Sequence, residues 1–468
     1  MRKALSSLAF LLLLGLALWV PLPFGSVTVF GRLVLEAGAF LALALALLSN
    51  ARSPSLKAAR FPIAFYALLC LFGVAQLLPL SASLLGVVSP DSEAIVAGSA
   101  RILALHGREA ALAHTISIVP AETREALLQL GAFLSLFAAG ALLNSDRRRR
   151  GLFAGALVLA AVFQVIYGVA AWREQSDAIF GVRLSTGAIN RVRGTFVNPN
   201  HLAGYLEIGL CVAFALLYAE ILTGSSRARP GTVDLSAKVE ARFFPLALRV
   251  FTWLTLFGGL LLTQSRAGTL AATLAAGVLV ALAHFRRRSF RFGLPALFAV
   301  AFGLALAFSS GPVFDRLLGS DPRNLSSDGR AEIRAVAAKV QGRFPIFGSG
   351  LGTFRDAFLL EQPREMEGLL THAHNDFVEL KTTGGWIGFL LGLGVLGGTL
   401  WALGVAWRRQ PHRIESAHAL AGIGVVVSLA AHALFDFNFA IPAIPATLAL
   451  VLGWSFAAAT ASESPNRA

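Results

Sequence analysis

The chain has 468 residues, 56% of them hydrophobic and 14% charged, with a mean hydropathy of +0.69, which excludes an ordinary water-soluble domain. A net charge of +14 would suit a nucleic acid if it formed one patch, but the basic residues come in short clusters between apolar runs. That distribution reads as membrane topology, and a nucleic-acid partner is not expected.

Apolar stretches long enough to cross a ~30 Å hydrocarbon layer recur along the chain. About twelve fall at roughly 4–22, 27–49, 61–80, 123–143, 151–172, 201–223, 245–264, 267–285, 292–310, 384–407, 416–434 and 440–460. They are too long and too uniformly apolar for barrel strands. The expected fold is therefore all-α, a polytopic membrane protein of about 12 transmembrane helices with one large loop containing short helices. Its regions are 1–150, four N-terminal spans; 151–310, spans with arginine-bearing outer loops; 311–383, the large loop; and 384–468, the C-terminal spans. The first run follows Met1-Arg2-Lys3, lacks a small-x-small cleavage pattern, and reads as a retained helix. Cys70 and Cys211 both fall in apolar runs, so no structural disulfide is expected.

Arg52, Lys57 and Arg60, the run Arg147 to Arg150, the 224–244 connection with Arg227, Arg229, Lys238 and Arg242, and the segments 285–291 and 407–413 all fall on the side of the N-terminus. The positive-inside rule makes that side the cytoplasm and puts both termini in it. Three outer connections break the rule. The 173–200 segment carries Arg173, Arg183, Arg191 and Arg193, the "LLTQSRAGT" turn carries Arg266, and the long 311–383 loop is rich in Arg and His. Arginines set against topology at a membrane edge point to an anionic ligand. Snorkelling to lipid headgroups suits any single arginine, and for Arg183 and Arg191 both readings stay open. Arg266, flanked by Gln264, Ser265 and Gly268, favours the functional one.

In "RVRGTFVNPNHLAGYL", Asn198, Asn200 and His201 are placed to shape the loop and cap the sixth span, with substrate contact as the alternative. Further on, "NLSSDGRAEIRAVAAKVQGRF" has Ser and Asp as capping candidates. Ile333, Val336, Ala337 and Val340 follow at helical spacing, predicting an amphipathic helix near 330–342 with Arg330 and Arg334 on one face. "PIFGSGLGTF" has no preceding strand and no Lys-Ser/Thr tail, so it reads as a positioned turn rather than a phosphate loop. In "THAHNDFVELKTTGGWIG", His372 and Asp376 lie four apart and would share a helical face, as would Asn375 and Glu379. A histidine here suits general-base work, since its unperturbed pKa is about 6.5. Without HExxH or a plausible third ligand, no metal is expected. In "AHALFDFNFAIPAIPA", His432 and Asp436 are again four apart, either a functional site or a pair that satisfies itself.

"RGTFVNPNHLAGYL", "LLLTQSRAG", "HNDFVELKTTGGWIG" and "HALFDFNFAIPA" together resemble the O-antigen ligase/polymerase family of bacterial inner-membrane glycosyltransferases, over roughly 150–460. The resemblance implies transfer of a glycan from an undecaprenyl-pyrophosphate carrier to an acceptor hydroxyl on a glycan, lipid A core or protein, at the periplasmic face. It implies neither metal nor other cofactor, with Arg193 and Arg266 on the pyrophosphate and His374 as the essential histidine. Arg191, Asn200, His201, Arg330, His372, Asn375, Asp376, His432 and Asp436 are the candidate substrate-binding residues around them. A multi-span transporter or flippase would share the composition, but it should show internal repeats and ionisable residues near mid-membrane.

Overall fold

The computed structural model describes residues 1–51, 53–108, 112–144, 146–184, 190–226, 235–286, 325–366, 368–410 and 414–460. Among these, regular structure is helical apart from two antiparallel two-residue strands, Ala178–Ile179 and Val182–Arg183. Among the described residues, eight helices are long and apolar enough to cross a membrane: Arg2–Trp19, Val29–Leu48, Pro120–Leu143, Arg147–Arg173, Pro199–Leu222, Phe243–Leu262, Arg266–His284 and Asp376–Arg409. Arg60–Gln76, Glu415–His432 and Ala443–Ala459 pack among them where the third, eleventh and twelfth spans are expected. The ninth expected span, 292–310, lies outside the described residues, as do Arg52, Arg227, Arg229 and the basic segments 287–291 and 411–413. The helices flanking the expected 224–244 connection run on to Ser226 and begin at Leu235, leaving less of it as a loop. Hydropathy marks where lipid ends, not where backbone hydrogen bonding does.

The helix beginning at Pro199 is the axis of the bundle: its membrane-length window is 89% buried. Around it pack the helices Arg147–Arg173, Leu235–Leu262, Arg266–Arg286, Glu415–His432 and Ala443–Ala459. Small residues permit this closeness, as expected where dispersion rather than hydrophobicity holds helices together. A Cβ on Gly209 would lie 2.7 Å from the Ala161 Cβ, and one on Gly268 would lie 2.7 Å from the Ala203 Cβ. Large apolar side chains such as Leu11, Phe30, Leu33, Ile166, Phe251 and Leu270 point outward instead.

A second layer covers one end of the bundle. It contains Ala82–Val88, Pro90–Leu105, Leu325–Arg343 and Phe354–Leu359. The Leu325–Arg343 helix buries Ile333, Val336, Ala337 and Val340, as their spacing predicts. It starts before the expected Ser and Asp caps, which fall inside it. Arg343 ties the layer together, its Nε donating to Asp91 at 2.7 Å and its Nη1 to Glu361 at 3.2 Å. Gln76 anchors the glycine turn to the bundle, donating to the Phe347 carbonyl at 2.7 Å and accepting from the Leu351 N–H at 2.9 Å. At Gly348 (φ 71°) a Cβ would sit 2.2 Å from the Thr383 carbonyl oxygen, so this turn is structural, as read from the sequence.

Candidate active site

The candidate residues converge beneath that layer, on three segments: 190–201, 263–266 and 372–379, with the 432–439 turn between them. Asn198 caps the helix it precedes, accepting from the Asn200 N–H at 2.9 Å, which fixes the start of the central helix. Val192 N–H donates to the Leu262 carbonyl at 3.1 Å. The Arg191 Nε donates to the Thr263 carbonyl at 2.7 Å. These bonds lay the arginine loop against the turn that ends in Arg266, although 72 residues separate Arg191 from Thr263. Arg266 is exposed and opens its helix, and the Ser265 hydroxyl caps that helix by accepting from the Gly268 N–H at 3.2 Å.

Arg193 is 5% exposed. Its Nη2 donates to the Ser176 carbonyl at 3.1 Å, and its Nη1 reaches no hydrogen-bond partner among the described residues. Burial pulls its pKa below the usual guanidinium value, with Tyr167 and Asp177 opposing the shift. A buried cation with an open donor gains from an anionic ligand. Arg183, by contrast, is exposed and only loosely paired with Asp177 at 3.9 Å, and it does not join the cluster.

The histidine segment is not helical, which corrects two sequence expectations. His374 has φ 50°, and the helix begins only at Asp376, with Asn375 as its cap accepting from the Val378 N–H at 3.0 Å. His372 and Asp376 therefore share no helical face, and neither do Asn375 and Glu379. His372 Nδ1 lies 3.1 Å from Glu379 Oε1, and the other oxygen of Glu379 accepts from the Ala373 N–H at 3.1 Å. Asn375 Nδ2 donates to the Leu434 carbonyl at 2.8 Å, and Asp376 N–H donates to the Ala433 carbonyl at 2.9 Å. Asp376 accepts from the Phe439 N–H at 3.3 Å. Asn375 and Asp376 thus stitch the 372–379 segment to the 432–439 turn.

His432 and Asp436 do not satisfy one another through their side chains, which removes one of the two readings left open by the sequence. The helix ends at His432, so Asp436 lies beyond it and turns toward other partners. His432 Nδ1 meets Glu207 Oε1 at 2.6 Å, and Glu207 Oε2 accepts from the Ser428 hydroxyl at 2.7 Å, with both ionisable side chains fully buried. Sequence reasoning missed Glu207. Its signal was a lone carboxylate inside the sixth apolar run, a costly placement that demands a partner. Removing one member of such a pair strands the other, typically at about 3–5 kcal/mol. Glu207→Leu is accordingly expected to lower the thermal unfolding temperature of the purified protein by several degrees or abolish its accumulation. An unchanged melting curve would show that the pair holds nothing.

Asp436, 1% exposed, is the hub. Its Oδ2 accepts from Asn200 Nδ2 at 2.8 Å, and Asn200 Oδ1 in turn accepts from Arg191 Nη2 at 2.7 Å. His374 Nδ1 stands 3.5 Å from Asp436 Oδ1, an ion-pair distance without hydrogen-bond alignment. Burial alone would raise the Asp436 carboxyl. The His374 contact, the nearby His201 ring, and the N–H groups of Phe437 and Asn200 outweigh it and hold the group well below the usual carboxylate range. Phe437 is wedged among three imidazoles: His372 stacks on it at 4.4 Å, while His201 and His374 meet it edge-on at 4.7 and 4.8 Å. Arg330, on the covering layer, lies within electrostatic reach of His432. Among the described residues no group of three or more His, Cys, Asp or Glu side chains is arranged to hold a metal ion.

This arrangement has a histidine beside a buried anion and arginines at an apolar edge. Groups of these types suit proton acceptance and the pairing of an anion. Residues 251–393 match the family model described as O-Antigen ligase, which supports the family resemblance read from the sequence. The matched segment takes in Arg266, Arg330, His372 and His374, while Arg191 and Arg193 precede it and Asp436 follows it. No curated protein matches the chain.

Proposed function

Proceeding from that family, we propose that the protein transfers a glycan from an undecaprenyl-pyrophosphate carrier to an acceptor hydroxyl on the outer, periplasmic face of a bacterial inner membrane. The observation that carries this reading is Arg193, buried with one donor unpaired, two residues along the loop from Arg191, which is bonded to the turn that leads into the Arg266 helix. In the reaction the acceptor oxygen bonds to the anomeric carbon, and the bond from that carbon to the pyrophosphate oxygen breaks. A single displacement inverts the carbon. The leaving pyrophosphate gains charge, which Arg193 and Arg266 stabilise with paired hydrogen bonds, each such group typically worth ~3–4 kcal/mol in a transition state. His374 takes the acceptor proton. Being 30% exposed, it then releases that proton to solvent. Asp436, 3.5 Å away, stabilises the imidazolium.

Purified protein given a lipid-pyrophosphate-linked oligosaccharide and a hydroxyl acceptor is expected to release the lipid pyrophosphate and form the glycoside, in excess EDTA as well as without it. No transfer to any glycan, lipid A core or peptide acceptor would remove the reading. Recovery of activity only on adding Mg²⁺ would remove the role of the arginines. The orientation has its own check. In a variant with Cys70 and Cys211 replaced, Ser83→Cys should react with a membrane-impermeant maleimide in outer-membrane-permeabilised cells, while Arg148→Cys should not. The reverse pattern would put the site on the wrong side of the membrane for this chemistry.

A further inference from the structure

Gln164 lies in the fifth apolar run, on the helix Arg147–Arg173, and is fully buried. An amide in such a place costs free energy unless it is hydrogen-bonded. Its Oε1 accepts from the Thr195 N–H at 2.8 Å. The Thr195 hydroxyl stands 3.0 Å from the same oxygen and donates to the Pro21 carbonyl at 2.6 Å. Gln164 Nε2 has no hydrogen-bond partner among the described residues, so the acceptor end of the amide is the end in use. One turn along the same face, Gly168 lets the arginine loop come close. A Cβ on Gly168 would lie 2.8 Å from the Gly194 nitrogen and 2.7 Å from Val192 Cγ1. Gly194 itself turns at φ 57°, and a Cβ there would lie 2.5 Å from Gln164 Oε1.

These contacts bracket Arg193. On one side of it the Val192 N–H is bonded to the Leu262 carbonyl. On the other, Thr195 is bonded to Gln164, and the Phe196 N–H closes a turn onto the Arg193 carbonyl at 3.0 Å. Gly168 stands five residues before the end of its helix at Arg173, about 8 Å of rise. The Arg193 backbone is therefore seated within the length of the helix, and its side chain climbs to the Ser176 carbonyl beyond the helix end. Backbone and guanidinium both take their position from this one helix and the turn that follows it. A group misplaced by about 1 Å can lose ~10²-fold in what it contributes. Resting on the transfer reading above, we propose that Gln164 is a positioning residue for donor binding. Through Thr195 it sets the depth and aim of Arg193, and with them the affinity for a pyrophosphate headgroup. It touches no substrate and acts through Arg193.

The probe is radiolabelled undecaprenyl pyrophosphate, titrated into the full-length protein in nanodiscs. Gln164→Met keeps the length of the side chain but offers no oxygen, and it should weaken binding at least tenfold. Gln164→Glu restores an oxygen at the same reach and gives up only the unused Nε2, so it should recover most of that affinity. In an Arg193→Ala background, Gln164→Met should weaken binding by no more than a further twofold, because the two residues act as a unit. Should Gln164→Met fail to accumulate, Gly168→Ala makes the same test by pressing a Cβ against Gly194, with the same tenfold loss and the same non-additivity. Unchanged binding in Gln164→Met, a loss that Gln164→Glu does not recover, or a loss that adds to that of Arg193→Ala would each overturn the proposal. Binding that needs Arg193 but not Gln164 would sink the positioning role alone. Binding that is absent from the unaltered protein, or survives Arg193→Ala, would sink the donor site of the transfer reading and this proposal with it.

Discussion

His374→Ala is expected to lower turnover by about 10²-fold or more while the lipid-linked donor still binds. Proton removal is needed only as the acceptor attacks, and nothing in docking a pyrophosphate requires it. His372 differs in that Glu379 engages it and its ring lies flat on Phe437. His374 instead faces Asp436, an anion held well below the usual carboxylate range. Asp436→Asn separates positioning from mere folding. Without the carboxylate the ring loses the anion 3.5 Å from its Nδ1. Turnover should drop while the melting temperature and donor affinity hold. The stabilisation that Asp436 gives the fold, from a depressed carboxylate, is present above the unfolded value near 3.9 and is lost only as pH falls through the lower folded one. A His374→Ala protein of normal abundance and normal turnover would move the base elsewhere. Unchanged turnover in Asp436→Asn would reduce Asp436 to a structural tie.

Sequence reading reached the helices because lipid imposes a simple rule, a run of apolar residues for each crossing. It reached the arginines because Arg191, Arg193 and Arg266 contradict the charge bias that orients such spans. It failed where local spacing was asked to stand for tertiary contact. The i,i+4 pairs His372–Asp376 and His432–Asp436 assume a continuous helix, but His374 breaks one at its left-handed φ of 50° and Asp436 lies past the end of the other. Their actual partners, Glu379 for His372 and Glu207 for His432, include one that lies 225 residues away in the chain. Phe437 reads as one more apolar residue, and only the fold places three imidazoles around it.

Arg193→Ala should weaken donor binding and remove most activity, and Arg266→Lys should lose most activity despite keeping its charge. Lysine places a positive point at the corner but lacks the planar fork that meets two phosphate oxygens at once. Losing one preorganised donor from a developing anion typically costs ~10²–10³ in kcat. For Arg193 the expectation has a second source in its surroundings. The guanidinium is already buried and already held by the Ser176 carbonyl, so its orientation is paid for by the fold before any ligand arrives, and its open Nη1 keeps a donor in reserve. Alanine there removes the charge and leaves a void beside the 176–177 turn. Arg193→Lys is therefore the cleaner probe, because it retains the charge and most of the volume. If the pyrophosphate binds through paired hydrogen bonds, Arg193→Lys should resemble Arg266→Lys, with kcat falling more than donor affinity. Charge steering alone would leave both lysine variants close to full activity and confine the loss to Arg193→Ala. Full activity in all three, at normal abundance in the membrane, would mean that no pyrophosphate docks at this corner.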